Sequence, residues 1–138
     1  MKNLNVILVY DEHFKNILMC KRVKEPYKGK LNLIGGKVEE NENLLDTAYR
    51  ELFEETSITK NDIILKELMS FKYNLNEIIL YVYTGKLNKE VKVVEEVNPL
   101  LWVDANSNFF DSNIFAGEGN IGHMVEHTKI YKEKLYGR

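Results

Sequence analysis

Residues 4–10 (LNVILVY) are apolar at every position but one and rich in branched side chains, the pattern of a strand covered on both faces. A polar turn follows at 11–16, and 17–22 resumes the extended pattern, which predicts a hairpin. Pro26, Gly29 and several charges make 24–30 a loop. A short strand at 31–34 ends in Gly35-Gly36. From 43 to 56 the period becomes helical: Leu44, Ala48 and Leu52 form one row, and Leu45, Tyr49 and Phe53 the next. Further strands are predicted at 63–73, 77–87 and 100–103, and a last helix at 122–135. One helix between strands and one at the end imply an α/β fold, a mixed sheet flanked by helices in a single domain over 1–138.

Composition narrows the classes. With 138 residues, 44% hydrophobic and 29% charged, the chain can bury one core without disulfides or a structural metal. A net charge of −2 does not suit a phosphate backbone, so no DNA partner is expected. Cys20, the single cysteine, follows three apolar residues and reads as a small buried hydrophobe rather than a nucleophile. No apolar run is long enough to span a membrane. The N-terminal stretch reads as a strand, not a leader. The expected location is cytoplasmic.

The chemistry lies in residues 36–58, GKVEENENLLDTAYRELFEETSI. On a helix turning about 100° per residue, Glu51, Glu54 and Glu55 fall in one sector roughly 100° wide. Beside it lie Leu44, Leu45, Ala48, Tyr49, Leu52 and Phe53, expected to anchor the helix. Carboxylates at i, i+3 and i+4 repel one another by a few tenths of a kcal/mol per pair, roughly, and a divalent cation removes that cost. With only oxygen ligands at hand, Mg²⁺ is favoured, with Mn²⁺ a substitute. Arg50 stands four residues before Glu54 and next to Glu51, placed to hold a glutamate in one rotamer. Gly35-Gly36 lets backbone approach a metal or phosphate closely, and Lys37 adds a positive charge there. Average residue frequencies would yield this spacing in fewer than about one window in a million.

The segment resembles the Nudix box, G-x5-E-x7-R-E-U-x-E-E-x-G-U, where U is a bulky aliphatic residue. The resemblance implies a Nudix-type α/β/α sandwich and hydrolysis of a diphosphate linkage by displacement at phosphorus with a metal-activated water. It further implies that Gly36, Glu51, Glu54 and Glu55 bind metal, that Arg50 orients a glutamate, and that Glu42 is structural or an outer ligand. Glu54 is the first choice of general base, with Glu95 and Glu96 as alternates. Ser57 departs from the pattern: the family has a helix-ending glycine there. An alkaline pH optimum is also implied.

Residues 29–38 (GKLNLIGGKV) resemble the MutT type, hydrolases of oxidised purine nucleoside triphosphates. This assigns Asn32 to a base pocket, where an amide offers both donor and acceptor. Lys37, Glu96 and Trp102 complete the expected substrate contacts, Trp102 by stacking on a base or else by packing in the core. The expected partner is a small-molecule nucleotide, and the chain a monomer or homodimer. The alternatives are a pyrophosphatase for ADP-ribose or another nucleoside diphosphate derivative, and a Nudix domain that senses a nucleotide without cutting it. Two further motifs compete. Gly117 to Gly122 matches G-x-G-x-x-G but lacks room for a dinucleotide-binding unit. It is expected to be a loop that closes over substrate with Phe109, Phe110, Phe115 and Glu118. His123, Glu126 and His127 match H-x-x-E-H, the signature of a small zinc hydrolase, and read more simply as a helix edge.

Overall fold

The apolar run near the N-terminus forms β1 (Lys2–Tyr10), the axis of the sheet. The structure, a computed structural model, describes residues 2–75 and 77–132. After β1 come β2 (Asn16–Lys21), β3 (Leu31–Asn32), β4 (Ile34–Lys37), α1 (Leu44–Thr56), β5 (Lys66–Tyr73), β6 (Ile78–Lys86), β7 (Leu100–Asp104) and α2 (Asn120–Ile130). One edge of β1 runs parallel to β6 over its whole length, from Lys2↔Ile78 to Tyr10↔Lys86. Its other edge is divided: residues 4–7 pair antiparallel with β4, and Tyr10 pairs with Ile17 of β2. β5 extends the sheet beyond β6, while β3 and β7 both pair with β2. Among the described residues this is one mixed sheet of seven strands.

Alternation along β1 builds two cores. Ile7 and Val9 face α1 and pack with Leu18, Ala48 and Leu52. Leu8 and Tyr10 face the other way and pack with Met19, Ile121, Met124 and Val125. The sheet is thus covered by a helix on each face, as the sequence predicts, and the layers are α/β/α.

The differences in detail have local causes. The predicted strand at 31–34 is two strands that change partner at Leu33. Asn32 Oδ1 accepts the Leu33 N–H at 2.8 Å, so the ladder passes from β2 to β1. The strand predicted from 63 begins at Lys66. Its first part is engaged elsewhere, with Leu65 N–H donating to Tyr49 Oη at 2.9 Å and Ile63 forming an isolated bridge to Leu87. On α1 only one of the two predicted apolar rows is buried: Ala48 and Leu52 are covered, whereas Leu45 and Phe53 are 38% and 53% exposed. A sheet covers one stripe of a helix, and the second row lies beyond its edge. Helix α2 starts two residues earlier than predicted and its described part ends at Ile130. Residues 133–135 of the predicted range lie outside the described residues.

Candidate active site

Helix α1 is held at both ends. Asn43 caps its start, Oδ1 accepting from Leu45 N and Asp46 N. Ser57 closes it in the left-handed conformation, φ 69° and ψ 9°, with its N–H donating to Phe53 O. Between these ends Ala48 and Leu52 lock the helix onto β1, which fixes the carboxylate flank over β4.

Arg50 is the hub of that flank. Its Nε and Nη2 donate to the two carboxylate oxygens of Glu42, each at 3.1 Å, and Nη1 reaches Glu54 at 3.1 Å and Glu51 at 3.4 Å. The paired bonds set the plane of the guanidinium. Bonds from the Glu39 N–H and from Arg50 hold the Glu42 carboxyl below its usual range. Glu54 is the outermost of the three box glutamates, its side chain 53% exposed.

Glu51 and Glu55 lie deeper. The Glu51 carboxylate fills the space beside Gly36, where a Cβ would stand 2.6 Å from its carboxyl carbon. The Glu55 carboxyl lies within hydrogen-bonding reach of Glu51 and accepts from the Gly35 N–H. Burial first, and then the Glu51 charge, push Glu55 up to about 7. Burial also raises Glu51. Two adjacent carboxyls pressed against glycine backbone, with oxygen donors only, fit a hard divalent cation. Asn5 adds to the fit. It is 1% exposed, and its Oδ1 accepts the Gly36 N–H at 3.1 Å. Its Nδ2 is buried without a hydrogen-bond partner among the described residues, a donor suited to an oxygen delivered by a hydrated cation or a phosphate. Glu54 is turned to Arg50, and among the described residues no three His, Cys, Asp or Glu side chains already converge as a metal cage.

These groups line a cleft of about 470 Å³ that also includes Arg22, Asn32, Lys37, Val97 and Asn98. Against it stand the comparisons with known proteins. A family profile described as the NUDIX domain matches residues 2–119. The chain belongs to the Nudix hydrolase family.

The Nudix match takes in most of the chain. No curated protein sequence matches it, but many solved structures share its fold. An Ap4A hydrolase from C. elegans is 15% identical, with 97% of this chain and 99% of that one covered and a TM-score of 0.75. The E. coli dihydroneopterin triphosphate pyrophosphohydrolase is 19% identical, covered at 90% and 92%, TM-score 0.69. A MutT/nudix family protein from Enterococcus faecalis is 19% identical with a TM-score of 0.63. There the match takes in 75% of this chain but only 43% of the other.

The Nudix cleft gathers Asn32, Gly36, Lys37, Glu51, Glu54 and Glu55, with Arg50 behind them. It does not include Glu95, Glu96 or Trp102. Glu95 accepts the Leu100 N–H at 2.8 Å at the start of β7. Glu96 accepts from the Ser57 hydroxyl at 2.8 Å, so the residues after it, Val97 and Asn98, are the ones that reach the cleft. Trp102 pairs with Leu18 and packs half-buried against the α1-side core. Cys20 is 5% exposed, and burial pushes its thiol up to about 11, so it stays protonated.

Gly117, Glu118 and Gly119 form a left-handed loop, φ 87°, 50° and 89°, leading into α2. Of the aromatic residues expected to close over substrate, Phe109 and Phe115 are buried in the α2-side core. Phe110 packs on Gly122. His123 meets the edge of Phe110 and His127 lies against Tyr131. Neither joins a metal cage among the described residues, and no helix there is long and apolar enough to cross a membrane.

Sequence reading missed Asn5, Arg22 and Asn98 at the cleft. Asn5 left a signal, the one polar side chain in the apolar run of β1. At Ser57 a non-glycine residue bears a left-handed strain of about 1 kcal/mol, against a surface hydrogen bond to Glu96 worth about 0.5 kcal/mol. Ser57→Gly is therefore expected to stabilise the protein by about 0.5 kcal/mol in urea unfolding. A loss of stability would show that the tie to Glu96 outweighs the strain.

Proposed function

We propose that the chain hydrolyses a purine nucleoside triphosphate, oxidised or otherwise non-standard, to the monophosphate and pyrophosphate, with Mg²⁺ and with Mn²⁺ as a substitute. One observation carries this reading: the acidic cleft continues into a largely apolar cavity through the shared residues Leu4, Val6, Asn32, Leu33 and Leu80. A charged phosphate chain and a flat base thus have adjoining places.

Glu51, Glu55 and the Gly36 carbonyl would hold the cation, joined by Glu54 on leaving Arg50. Bound there, it supplies charge neutralisation and a lowered water pKa. Lys37 and Arg22 attract the phosphates, and the Asn5 amide donates to an oxygen among them. The attacking water forms its bond to phosphorus as the bond to the pyrophosphate oxygen breaks. Glu54, the most accessible of the box glutamates, takes the proton. Arg50 keeps Glu54 within reach and returns it to place. Asn32 faces the base. Its Oδ1 is engaged by the Leu33 N–H, which leaves Nδ2 as the group it offers.

A second groove favours a second reading. It runs from Lys37 past Lys2, Asn3, Leu44 and Tyr81, with space for the second half of a nucleoside diphosphate derivative such as ADP-ribose. Mg²⁺-dependent turnover on oxidised and normal dNTPs, ADP-ribose and diadenosine polyphosphates, with products resolved, decides between them. Monophosphate plus pyrophosphate, fastest from an altered purine triphosphate, is the expected result, and it should be lost on chelation of Mg²⁺. Preference for ADP-ribose overturns the substrate. Nucleotide binding without cleavage overturns the reaction and leaves a sensor.

A further inference from the structure

Between β6 and β7 the chain crosses the end of α1 as an arch with two fixed feet. The first foot rests on the last turn of the helix. Val94 N–H donates to Thr56 O at 3.0 Å, and the Ser57 hydroxyl donates to Glu96 Oε2 at 2.8 Å. The second foot rests on β2 and the start of β7. Lys21 N–H donates to Pro99 O at 3.0 Å, and Leu100 N–H to Glu95 Oε2 at 2.8 Å. Val97 and Asn98 stand between the feet, and both line the acidic cleft.

The register at the second foot fixes the way Asn98 faces. β2 and β7 pair antiparallel with Cys20 opposite Leu100. The bond from Lys21 to Pro99 continues that register by one step, and the next step sets Asn98 opposite Arg22. Opposed residues point to the same face of a sheet, as do residues two apart along a strand. Arg22 and Asn98 therefore share the face of Cys20 and Leu100, the α1 face on which Glu55 lies. Arg22 Nε is spent on Pro26 O at 2.6 Å, which leaves its Nη groups to offer. Asn98 is half-buried, and among the described residues its side-chain amide has no hydrogen-bond partner. A guanidinium and an amide side by side, across from carboxylates that a cation would neutralise, fit the oxygens of a phosphate chain.

We infer that Asn98 donates to a phosphate oxygen of the substrate beside Arg22, and that Ser57 is a positioning residue that holds it there by tying Glu96 to the end of α1. The inference rests on the hydrolytic reading above and adds two residues to it. Asn98 touches the substrate, whereas Ser57 acts only through the arch. The tie also gives the left-handed Ser57 a use. Glycine would take its φ of 69° without strain but has no hydroxyl to donate. At this one position stability and grip on the substrate oppose each other.

The test is equilibrium binding of inorganic pyrophosphate to the full chain by calorimetry with Mg²⁺ present. Melting temperatures and turnover of the triphosphate that wild type cleaves fastest are measured alongside. The proteins are wild type, Ser57→Gly, Ser57→Asn, Asn98→Ala and Asn98→Asp. Asn98→Ala should weaken pyrophosphate about tenfold, the scale of a hydrogen bond to a charged group, and Asn98→Asp should weaken it further by repulsion. Ser57→Gly should weaken it about fivefold, the scale of one ordinary hydrogen bond, with a melting temperature at or above that of wild type. Its loss of turnover should fall on KM rather than kcat. Ser57→Asn accepts the left-handed conformation and offers an amide N–H to Glu96, so it should restore wild-type binding. The inference is overturned if wild type does not bind pyrophosphate, or if Asn98→Ala or Ser57→Gly binds it as tightly as wild type. It is also overturned if Ser57→Asn fails to restore what Ser57→Gly loses. Weakening of all four variants in step with a fall in melting temperature would overturn it too, leaving the arch a structural brace only. The expected binding pattern without triphosphate cleavage would sink the hydrolytic reading and keep the arch. Cleavage with a KM indifferent to Ser57→Gly and Asn98→Ala would do the reverse.

Discussion

Glu55→Gln is expected to make the metal-free protein more stable at pH 8 while removing most of its Mg²⁺-dependent turnover. The folded-state pKa of Glu55 is raised from 4.5 to about 7. Below 4.5 both folded and unfolded chains carry the proton, and the carboxyl costs nothing. As the pH climbs, the unfolded chain ionises first, so stability falls between about 4.5 and about 7 and stays reduced above that. After allowance for partial exposure, the penalty at pH 8 is on the order of 2 kcal/mol. Gln carries no charge, keeps an oxygen for the Gly35 N–H and offers an N–H to Glu51. Its melting temperature at pH 8 should therefore exceed that of wild type by about 6 °C, with little difference at pH 4. Mg²⁺ should raise the wild-type midpoint at pH 8 more than at pH 5 and barely move the variant. Turnover should drop about a thousandfold, the scale of losing one metal-binding oxygen at a reacting phosphate. A pH 8 midpoint at or below wild type, or activity within tenfold of it, would remove Glu55 from this role.

The adjacent glycines should respond differently to the same added methyl. At Gly35 a Cβ would lie 2.1 Å from the Asn5 carbonyl oxygen and 2.9 Å from Val6 Cα. Both are backbone atoms of the strand it pairs with, so the β1–β4 ladder must open. Gly35→Ala is expected to cost about 3 kcal/mol or more, a fall in melting temperature of about 10 °C. At Gly36 the clash is with the Glu51 carboxyl, the far end of a side chain that can swing aside. Gly36→Ala should fold with a loss of about 1 kcal/mol or less and should lose the seat of Glu51. Mn²⁺ binding followed by electron paramagnetic resonance should weaken at least tenfold, and turnover fall about a hundredfold. Equal destabilisation by the two substitutions would show that Glu51 is not what Gly36 makes room for.

How far the sequence reaches depends on what fixes each residue. Glu51, Glu54, Glu55 and Arg50 lie on one helix, so covalent spacing alone predicts their common flank. Glu42 enters the same cluster through a short loop, and its paired bonds to Arg50 follow from no periodicity. The two helices and the central strands were legible because burial repeats along them. The start of β5 was not, since Tyr49 takes the Leu65 N–H across 16 residues, nor was the switch at Leu33, where a neighbouring side chain takes a ladder donor. Trp102 and Glu96 have the right chemistry for a nucleotide, but their surroundings are set by the pairing of β7 with β2 and by the Ser57 hydroxyl. Tyr27 and Glu118, hydrogen-bonded at 2.5 Å across a separation of 91 residues, meet only once the sheet is closed.

The parallel pairing of β1 with β6 sets an order of events during synthesis. The box helix is local and can form as soon as residue 56 is clear of the ribosome. The sheet on which it lies needs partners 76 residues apart, Lys2 with Ile78 onward, and such distant closures come late. A nascent chain that has not yet reached β6 therefore carries a fully written acidic helix with one whole β1 edge still bare. The glycines that seat Glu51 and Glu55 have emerged by then, whereas the apolar cavity waits for Leu80 of β6 and for Ile121 and Met124 of α2.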